Sequence, residues 1–205
     1  MIKNIIFDFG NVIGRFDYME AVQHFTKDPN EQEFLINNVI NSPYWIGLGL
    51  LDSGLISYDS VVKLINDSTN NKYSDLVDKF VNGYYKYITI SDEITNLIKK
   101  IKDLGYNLYI LSNTSKEVVD YFKDYEIFKY FDGFTLSYKI NMLKPNIGIY
   151  KNLLNTYNLN PNESLFIDDR EDNIATAISL GINGFNVRKD NIEDIKKALK
   201  DYNIL

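Results

Sequence analysis

The stretch NIIFDFGNVIGRF, residues 4–16, decides how the rest of the chain is read. A short apolar run, Ile5-Ile6-Phe7, ends in the carboxylate of Asp8, and the chain turns at once through Phe9 and Gly10. An apolar run bounded by polar residues reads as a strand buried on both faces. A strand that delivers an acid at its carboxyl end places a nucleophile or a metal ligand. A hydrolase of this kind often carries a second acid two residues on, as proton donor; Gly10 stands there instead.

The same pattern recurs along the chain. Residues 107–111 (NLYIL) and 164–167 (SLFI) are short, apolar and followed by polar residues, and 133–137 (GFTLS) and 184–187 (GFNV) are weaker strand candidates. Helical periodicity lies between them. In SDEITNLIKKIKDLG, Ser91 is placed to cap, Ile94, Leu97, Ile98, Ile101 and Leu104 share one face, and Gly105 stops the helix. Further helices are expected in the segments after Pro145, from Glu171 to Gly181, and from Asn191 to the C-terminus. Strands alternating with helices predict an α/β fold, an open parallel sheet with helices on both faces. Such sheets place their chemistry at the carboxyl ends of the strands.

One spacing breaks the alternation. A strand-helix-strand unit takes roughly 30 residues, yet the first strand and NLYIL lie about 100 apart. The intervening 15–87 reads as several helices, in DYMEAVQHF, NEQEFLINNVI, SYDSVVKLIND and SDLVDKFVNGYYKY. Inserted directly after the first strand, they are expected to form a cap over the sheet's active edge. The expected division is a core of 1–14 and 88–205 with a helical cap of 15–87.

Composition narrows the chemistry. The chain has 205 residues, 45% hydrophobic and 24% charged, enough to bury a sizeable core. A net charge of −6 argues against nonspecific nucleic-acid binding, which needs a basic face. No cysteine is present and His24 is the sole histidine, so thiolate catalysis, cysteine-ligated zinc and a Ser-His-Asp triad are excluded or strongly disfavoured. No apolar run approaches the roughly 20 residues of a membrane span, and the expected location is the cytoplasm. A site must therefore use carboxylates, lysines, hydroxyls and backbone.

Four polar clusters stand where strands end or helices begin: Asp8, Ser112-Asn113, Lys144-Pro145 and Asp168-Asp169. Each alone has a plain structural reading as a cap, a turn or a surface pair. Together, on one sheet edge, they form a phosphoryl-transfer set. Asp8 can attack phosphorus. Asp8 and Asp169 can hold a hard cation such as Mg²⁺. Lys144 offsets crowded negative charge, while the Ser112 hydroxyl and the Asn113 backbone N–H can donate to phosphate oxygens.

These residues, in this order, resemble the haloacid dehalogenase (HAD) superfamily. FDFGNVI corresponds to its first motif, ILSN to the second, Lys144 to the third and FIDDREDN to the fourth. The match spans nearly the whole chain. The insertion resembles the helical C1 cap, and the closest subgroup is the glucose-1-phosphatase type, also similar to the phosphatase domain of soluble epoxide hydrolases. These share a D-x-G-N-V start, a cap segment like residues 44–57 (YWIGLGLLDSGLIS) and a DDREDN ending.

The resemblance implies a Rossmann-like three-layer core and a Mg²⁺-dependent phosphatase acting through an aspartyl-phosphate on Asp8. It implies Asp8, the Gly10 backbone carbonyl and Asp169 as metal ligands, and Ser112, Asn113 and Lys144 as phosphate contacts. Asp168 and Asn173 fall in the metal's outer shell. The implied partner is a small phosphate ester, with no nucleic acid and no membrane, in a monomer or weak homodimer.

In the family the second acid of the first motif binds the metal through its carbonyl and moves a proton through its carboxylate. Glycine retains the first role, loses the second and permits backbone conformations closed to other residues. General acid help is worth about 10²- to 10⁴-fold, so its loss favours stable leaving groups such as a hexose-1-phosphate offers. Asp17 and His24 are alternative proton donors, each equally readable as a solvated residue on a cap helix. Phe16, Tyr18, Tyr44 and Trp45 read as cap core or as pocket lining. A noncatalytic phosphate- or metal-binding protein and a metal-independent 2-haloacid dehalogenase are the rival readings.

Overall fold

A computed structural model describes residues 1–47, 49–189 and 191–205. Leu48, within the segment 44–57 that the sequence likened to a cap segment, lies outside them. Five parallel strands form one sheet: β1 (Asn4–Phe7), β2 (Asn107–Ser112), β3 (Gly133–Leu136), β4 (Ser164–Asp168) and β5 (Asn183–Asn186), in the order β3-β2-β1-β4-β5. β1 is central, with Phe7 paired to Ile110 on one side and Ile167 on the other.

Alternation along the strands divides the core into two layers. Ile5 and Phe7 face a cluster with α5 (Asp92–Asp103), α6 (Lys116–Phe122) and α10 (Ile192–Asp201). Ile6 and Phe166 face α8 (Ile147–Thr156) and α9 (Glu171–Ser179). The α/β three-layer expectation is met.

α5 shows how locally the helices are specified. The Ser91 hydroxyl accepts from the Ile94 N–H at 3.2 Å, Asp92 and Glu93 occupy the first turn, and Lys100 and Lys102 the last. Ile94, Leu97, Ile98 and Ile101 are buried, and Gly105 takes the left-handed φ of +90° that ends the helix.

Between β1 and α5 the chain forms α1 (Tyr18–Phe25), α2 (Pro29–Phe34), α3 (Tyr58–Ser68) and α4 (Ser74–Val81). These pack around their own apolar cluster, which includes Val22, Leu35, Trp45, Val61 and Phe80. Two expected helices depart from regular α geometry. The segment after α2 winds as a π-helix over Leu35–Ile40, with a second at Pro43–Gly47. The helix read in 74–87 stops at Val81 and resumes as a 3₁₀ turn over Tyr84–Tyr87. Gly83 stands at that break, where a Cβ would lie 2.8 Å from the Lys79 carbonyl. The chain leaving and re-entering the core is tied by an antiparallel pair: Arg15 N–H to Thr89 O at 2.9 Å and Thr89 N–H to Arg15 O at 3.0 Å.

The helices sit against the sheet's carboxyl edge through short polar contacts. The Tyr58 and Ser115 hydroxyls are 2.8 Å apart, and the Asn141 amide donates to Ser53 O at 2.8 Å. Ser137, the first residue of the short α7 (Ser137–Ile140), donates to the Asp52 carbonyl. Gly54 is required here: its φ is +69° and a Cβ would meet the Tyr138 carbonyl at 2.8 Å.

Candidate active site

β1 and β4 deliver Asp8 and Asp168 side by side, at the point where the connections switch from one flank of β1 to the other. Open α/β sheets form a crevice at such a point. The Asp8 N–H donates to Ile167 O at 2.9 Å, and its Oδ1 accepts from the Phe9 N–H at 2.7 Å. The turn then closes with Gly14 N–H to Phe9 O at 2.8 Å and Asn11 N–H to Gly14 O at 2.7 Å.

Lys144 lies between the two acids. Its Nζ is 2.8 Å from Asp8 Oδ1 and 2.7 Å from Asp168 Oδ2, with its side chain 1% exposed. Its main chain is held by the Asn113 side chain: Asn113 Oδ1 accepts from the Lys144 N–H at 2.7 Å, and Nδ2 donates to Lys144 O at 3.0 Å. A polar residue after β2 thus fixes the backbone of a lysine thirty-one positions later. The Asn113 side chain is committed to this work. Ser112 is buried at the last position of β2.

Asp168 is fully buried and its carboxylate is saturated. Oδ2 receives Lys144, Oδ1 receives the Arg170 N–H at 2.8 Å, and the Asn173 amide reaches both oxygens at 3.0 Å. The Asn173 Oδ1 is buried without a partner among the described residues. Asp169 is half-buried and interacts with the Asn11 side chain. Asp8, Asp168 and Asp169 each offer a carboxylate oxygen within 4.8 Å of the others. Three carboxylates thus crowd around the Lys144 ammonium, with Lys189 acting on Asp169 from outside the array. This is an oxygen-only donor set of excess negative charge, which fits a hard divalent cation such as Mg²⁺.

The electrostatics follow from that crowding. Burial pushes the Asp8 carboxyl up to about 7; Lys144 opposes the shift and Asp168 adds to it. Burial, and then the Asp168 charge, hold Asp169 above the usual carboxylate range. For Lys144, burial alone lowers the pKa, but Asp8 and Asp168 reverse this and leave it raised.

A stability prediction follows from the Asp8 shift. Its folded pKa of about 7 lies above the ordinary value of 3.8. The folded, metal-free protein therefore holds an extra proton between those limits. The stability this supplies is present below the lower limit and lost as pH rises through about 7. Asp8→Asn is expected to flatten that part of the profile. In chelator, the melting temperature of the variant relative to wild type should rise from about pH 5 to about pH 8; a constant difference would contradict it.

Gly10 requires a correction to the sequence reading. Its φ is not in the left-handed region; in this turn that conformation falls on Asn11, at φ 57°. A Cβ at Gly10 would meet nothing within 4 Å. The freedom of glycine is therefore not used by the backbone, and a side chain fits there.

The alternative proton donors are engaged elsewhere. Asp17 caps α1, its Oδ1 accepting from Met19 N–H at 2.7 Å and Glu20 N–H at 3.1 Å. His24 stacks on Tyr87 with ring centroids 4.4 Å apart. Trp45 is buried against Phe80 and Tyr84, and Phe16 packs edge-on to Tyr18 at 4.6 Å. Trp45 belongs to the apolar cluster of the 15–87 helices, and Phe16, Tyr18 and Tyr44 pack against it.

Comparison with known proteins accords with this architecture. Residues 5–187 match the family model of haloacid dehalogenase-like hydrolases, and the chain belongs to that family. A D-ribitol-5-phosphate phosphatase of Bacteroides thetaiotaomicron is 28% identical over 201 residues, covering 90% of this chain and 91% of that one. The sesquiterpene phosphatase AstK of Aspergillus oryzae is 23% identical, covering 90% and 89%. Among solved structures, a HAD family enzyme from B. thetaiotaomicron in complex with magnesium and inorganic phosphate is 26% identical. It superposes with a TM-score of 0.75 over 93% of this chain and 96% of that one. The L-2-haloacid dehalogenase of Xanthobacter autotrophicus shares the fold at 16% identity and a TM-score of 0.67, over 100% of this chain and 85% of that one. Among the described residues, no helix is long and apolar enough to cross a membrane.

Proposed function

We propose that this chain is a Mg²⁺-dependent phosphatase of small phosphomonoesters, with sugar and polyol phosphates as its substrate class. The observation that carries the reading is the Asp8–Lys144–Asp168 array, with Asp169 beside it, at the sheet's switch point. The magnesium-and-phosphate complex of a similar HAD family enzyme, and the likeness to a D-ribitol-5-phosphate phosphatase, support it.

In this reading Asp8 attacks phosphorus through one carboxylate oxygen and forms an aspartyl-phosphate, which water then hydrolyses. Asp8, Asp169 and the Gly10 carbonyl would hold Mg²⁺, which when bound would offset the charge on the phosphoryl oxygens. Lys144 orients Asp8 and adds a positive charge beside the transferring group. Asn113 fixes the Lys144 backbone, while its own N–H and the Ser112 hydroxyl donate to phosphoryl oxygens. Asp168 and Asn173 hold Lys144 in place. The helices of 15–87 close over the crevice as a cap and select the ester. Residue 10 offers no proton, so the departing oxygen must either be stable, as in a hexose-1-phosphate, or be protonated by another group.

The test is p-nitrophenyl phosphate, whose leaving group needs no acid. Wild type is expected to release p-nitrophenol with added Mg²⁺ and to fall to background in chelator. Turnover that ignores the metal would favour dehalogenase-type chemistry. Binding of Mg²⁺ and phosphate without turnover would favour a noncatalytic protein, the reading that Gly10 alone supports.

A further inference from the structure

We infer that a cavity between α6 and the β2–β3 end of the sheet is a binding site for a small aromatic carboxylate. The inference goes beyond the phosphatase reading and does not depend on it.

The cavity measures about 230 Å³. It lies in the layer of α5, α6 and α10, on the opposite side of the sheet from α8 and α9. A cavity of about 150 Å³ takes one benzene ring, so this one has room for roughly nine carbon atoms at the same density. Protein interiors are otherwise close-packed.

The wall of the cavity is aromatic. Eight of its twelve lining residues are apolar, and four of those are phenylalanines. The rings run in series, Phe122 to Phe9 at 5.4 Å, Phe9 to Phe128 at 5.8 Å and Phe128 to Phe134 at 6.1 Å between centroids. Such a wall favours a flat ring, which makes tilted and offset contacts with it. Phe134 stands on the edge strand β3 and is 37% exposed, so a ligand that covers it gains apolar burial.

The charge on the lining has one sign. Lys123, which ends α6, and Lys139 of α7 line the cavity, and both are exposed. Neither has an ion pair among the described residues. Lys139 Nζ lies 5.9 Å from the centre of the Tyr138 ring. Lys123 acts on Asp120, but the ion pair of Asp120 is with Lys116. No acid lines the cavity, and its remaining polar residues, Ser112 and Thr114, are uncharged. An apolar body with a single anionic head therefore matches both the wall and the two ammonium groups. No arginine lines the cavity to grip a phosphate in bidentate fashion. A carboxylate asks only for nearby positive charge, which the flexible lysine stems supply. Phe9 joins this cavity to the candidate active site, because its N–H donates to Asp8 Oδ1 at 2.7 Å.

The experiment is an NMR titration of the isotope-labelled protein, in chelator so that no metal at the acidic cluster holds the probe, at about pH 7.5, where a carboxylate is ionised. The probes are 3-phenylpropionate, the uncharged 3-phenylpropanol, and propionate, which keeps the head and lacks the ring. 3-Phenylpropionate is expected to bind with Kd below about 5 mM and to shift the amides of Phe9, Val118, Phe122 and Phe134. The alcohol should bind at least about threefold more weakly, for want of the lysine contacts. Propionate should bind at least about tenfold more weakly, for want of ring burial. Lys123→Met/Lys139→Met changes exposed residues only; it should weaken the acid at least about threefold and leave the alcohol within about twofold. Val119→Trp fills the cavity from α6 and should abolish binding of both. The inference is overturned by no binding up to about 10 mM, by shifts centred on Asp8, Asp168 and Asp169 instead, or by alcohol or propionate binding as tightly as the aromatic acid. Unchanged acid affinity in the double lysine variant, or in a folded Val119→Trp protein, overturns it as well.

Discussion

Asp8→Asn removes the attacking oxygen while keeping the shape, and kcat on p-nitrophenyl phosphate is expected to fall on the order of 10⁴-fold or more. Three features argue for an effect of that size. Asp8 is the site carboxylate whose main chain is pinned to β4, through Ile167, and whose side chain is pinned by Lys144. Asp168 cannot substitute, because Lys144, Asn173 and the Arg170 N–H occupy both its oxygens. Asp169 follows β4 and in the proposed mechanism serves as a cation ligand instead. The variant should still bind inorganic phosphate, since Ser112, Asn113 and Lys144 remain. Single-turnover kinetics checks this: wild type should label Asp8 with phosphate on rapid quenching, and the variant should not. Retention of more than about a tenth of the activity would remove Asp8 from the role of nucleophile.

Lys144→Met is expected to destabilise the metal-free protein more than any other single change at the site. The side chains of Lys144 and Asp168 are almost wholly buried, and that of Asp8 is 11% exposed. Deleting the ammonium leaves Asp8 and Asp168 with their hydrogen bonds from Phe9, Arg170 and Asn173 but without the positive charge between them. Breaking a buried pair in this way costs about 3–5 kcal/mol. For a chain of this size that is a drop of roughly 6–20 °C in melting temperature. The double variant Lys144→Met/Asp168→Asn removes one of the stranded charges and should recover much of the loss. Thermal unfolding in chelator at about pH 8, where Asp8 would be ionised, measures both. If the single variant melts within about 2 °C of wild type, Lys144 is not the counter-ion that its distances suggest. Millimolar Mg²⁺ should narrow the gap by binding the folded state alone.

The sequence by itself determined the sheet and the order of the acidic and polar clusters on it. All five strands and the helices at 92–103, 147–156, 171–179 and 192–201 form where periodicity and caps place them. The reason is local: a buried parallel strand is an unbroken apolar run, and a capped amphipathic helix carries its own start and stop signals. Where the local signal was short or mixed, the reading failed. α6 was missed because it spans seven residues directly after a polar turn, and only Val118 and Phe122 are buried on its face. The π-helical turns after α2 leave no periodic mark that differs from an α-helix.

Tertiary structure decided the rest. The lysine of a plain Lys-Pro pair became the buried centre of the site because Asn113, thirty-one residues earlier, holds both of its backbone groups. Gly10, read as a position where a freer backbone could matter, lies outside the left-handed region and has open space in its Cβ direction. Asp52 stands in LLDSG, an ordinary turn in the sequence. Its burial near Tyr18 of α1, Tyr58 of α3 and Tyr84 of the 3₁₀ turn joins groups that lie far apart in the sequence. A strand or a helix is written in neighbours along the chain. A shifted pKa or a two-sided ion pair is made by groups far apart in sequence, and their meeting is fixed by packing.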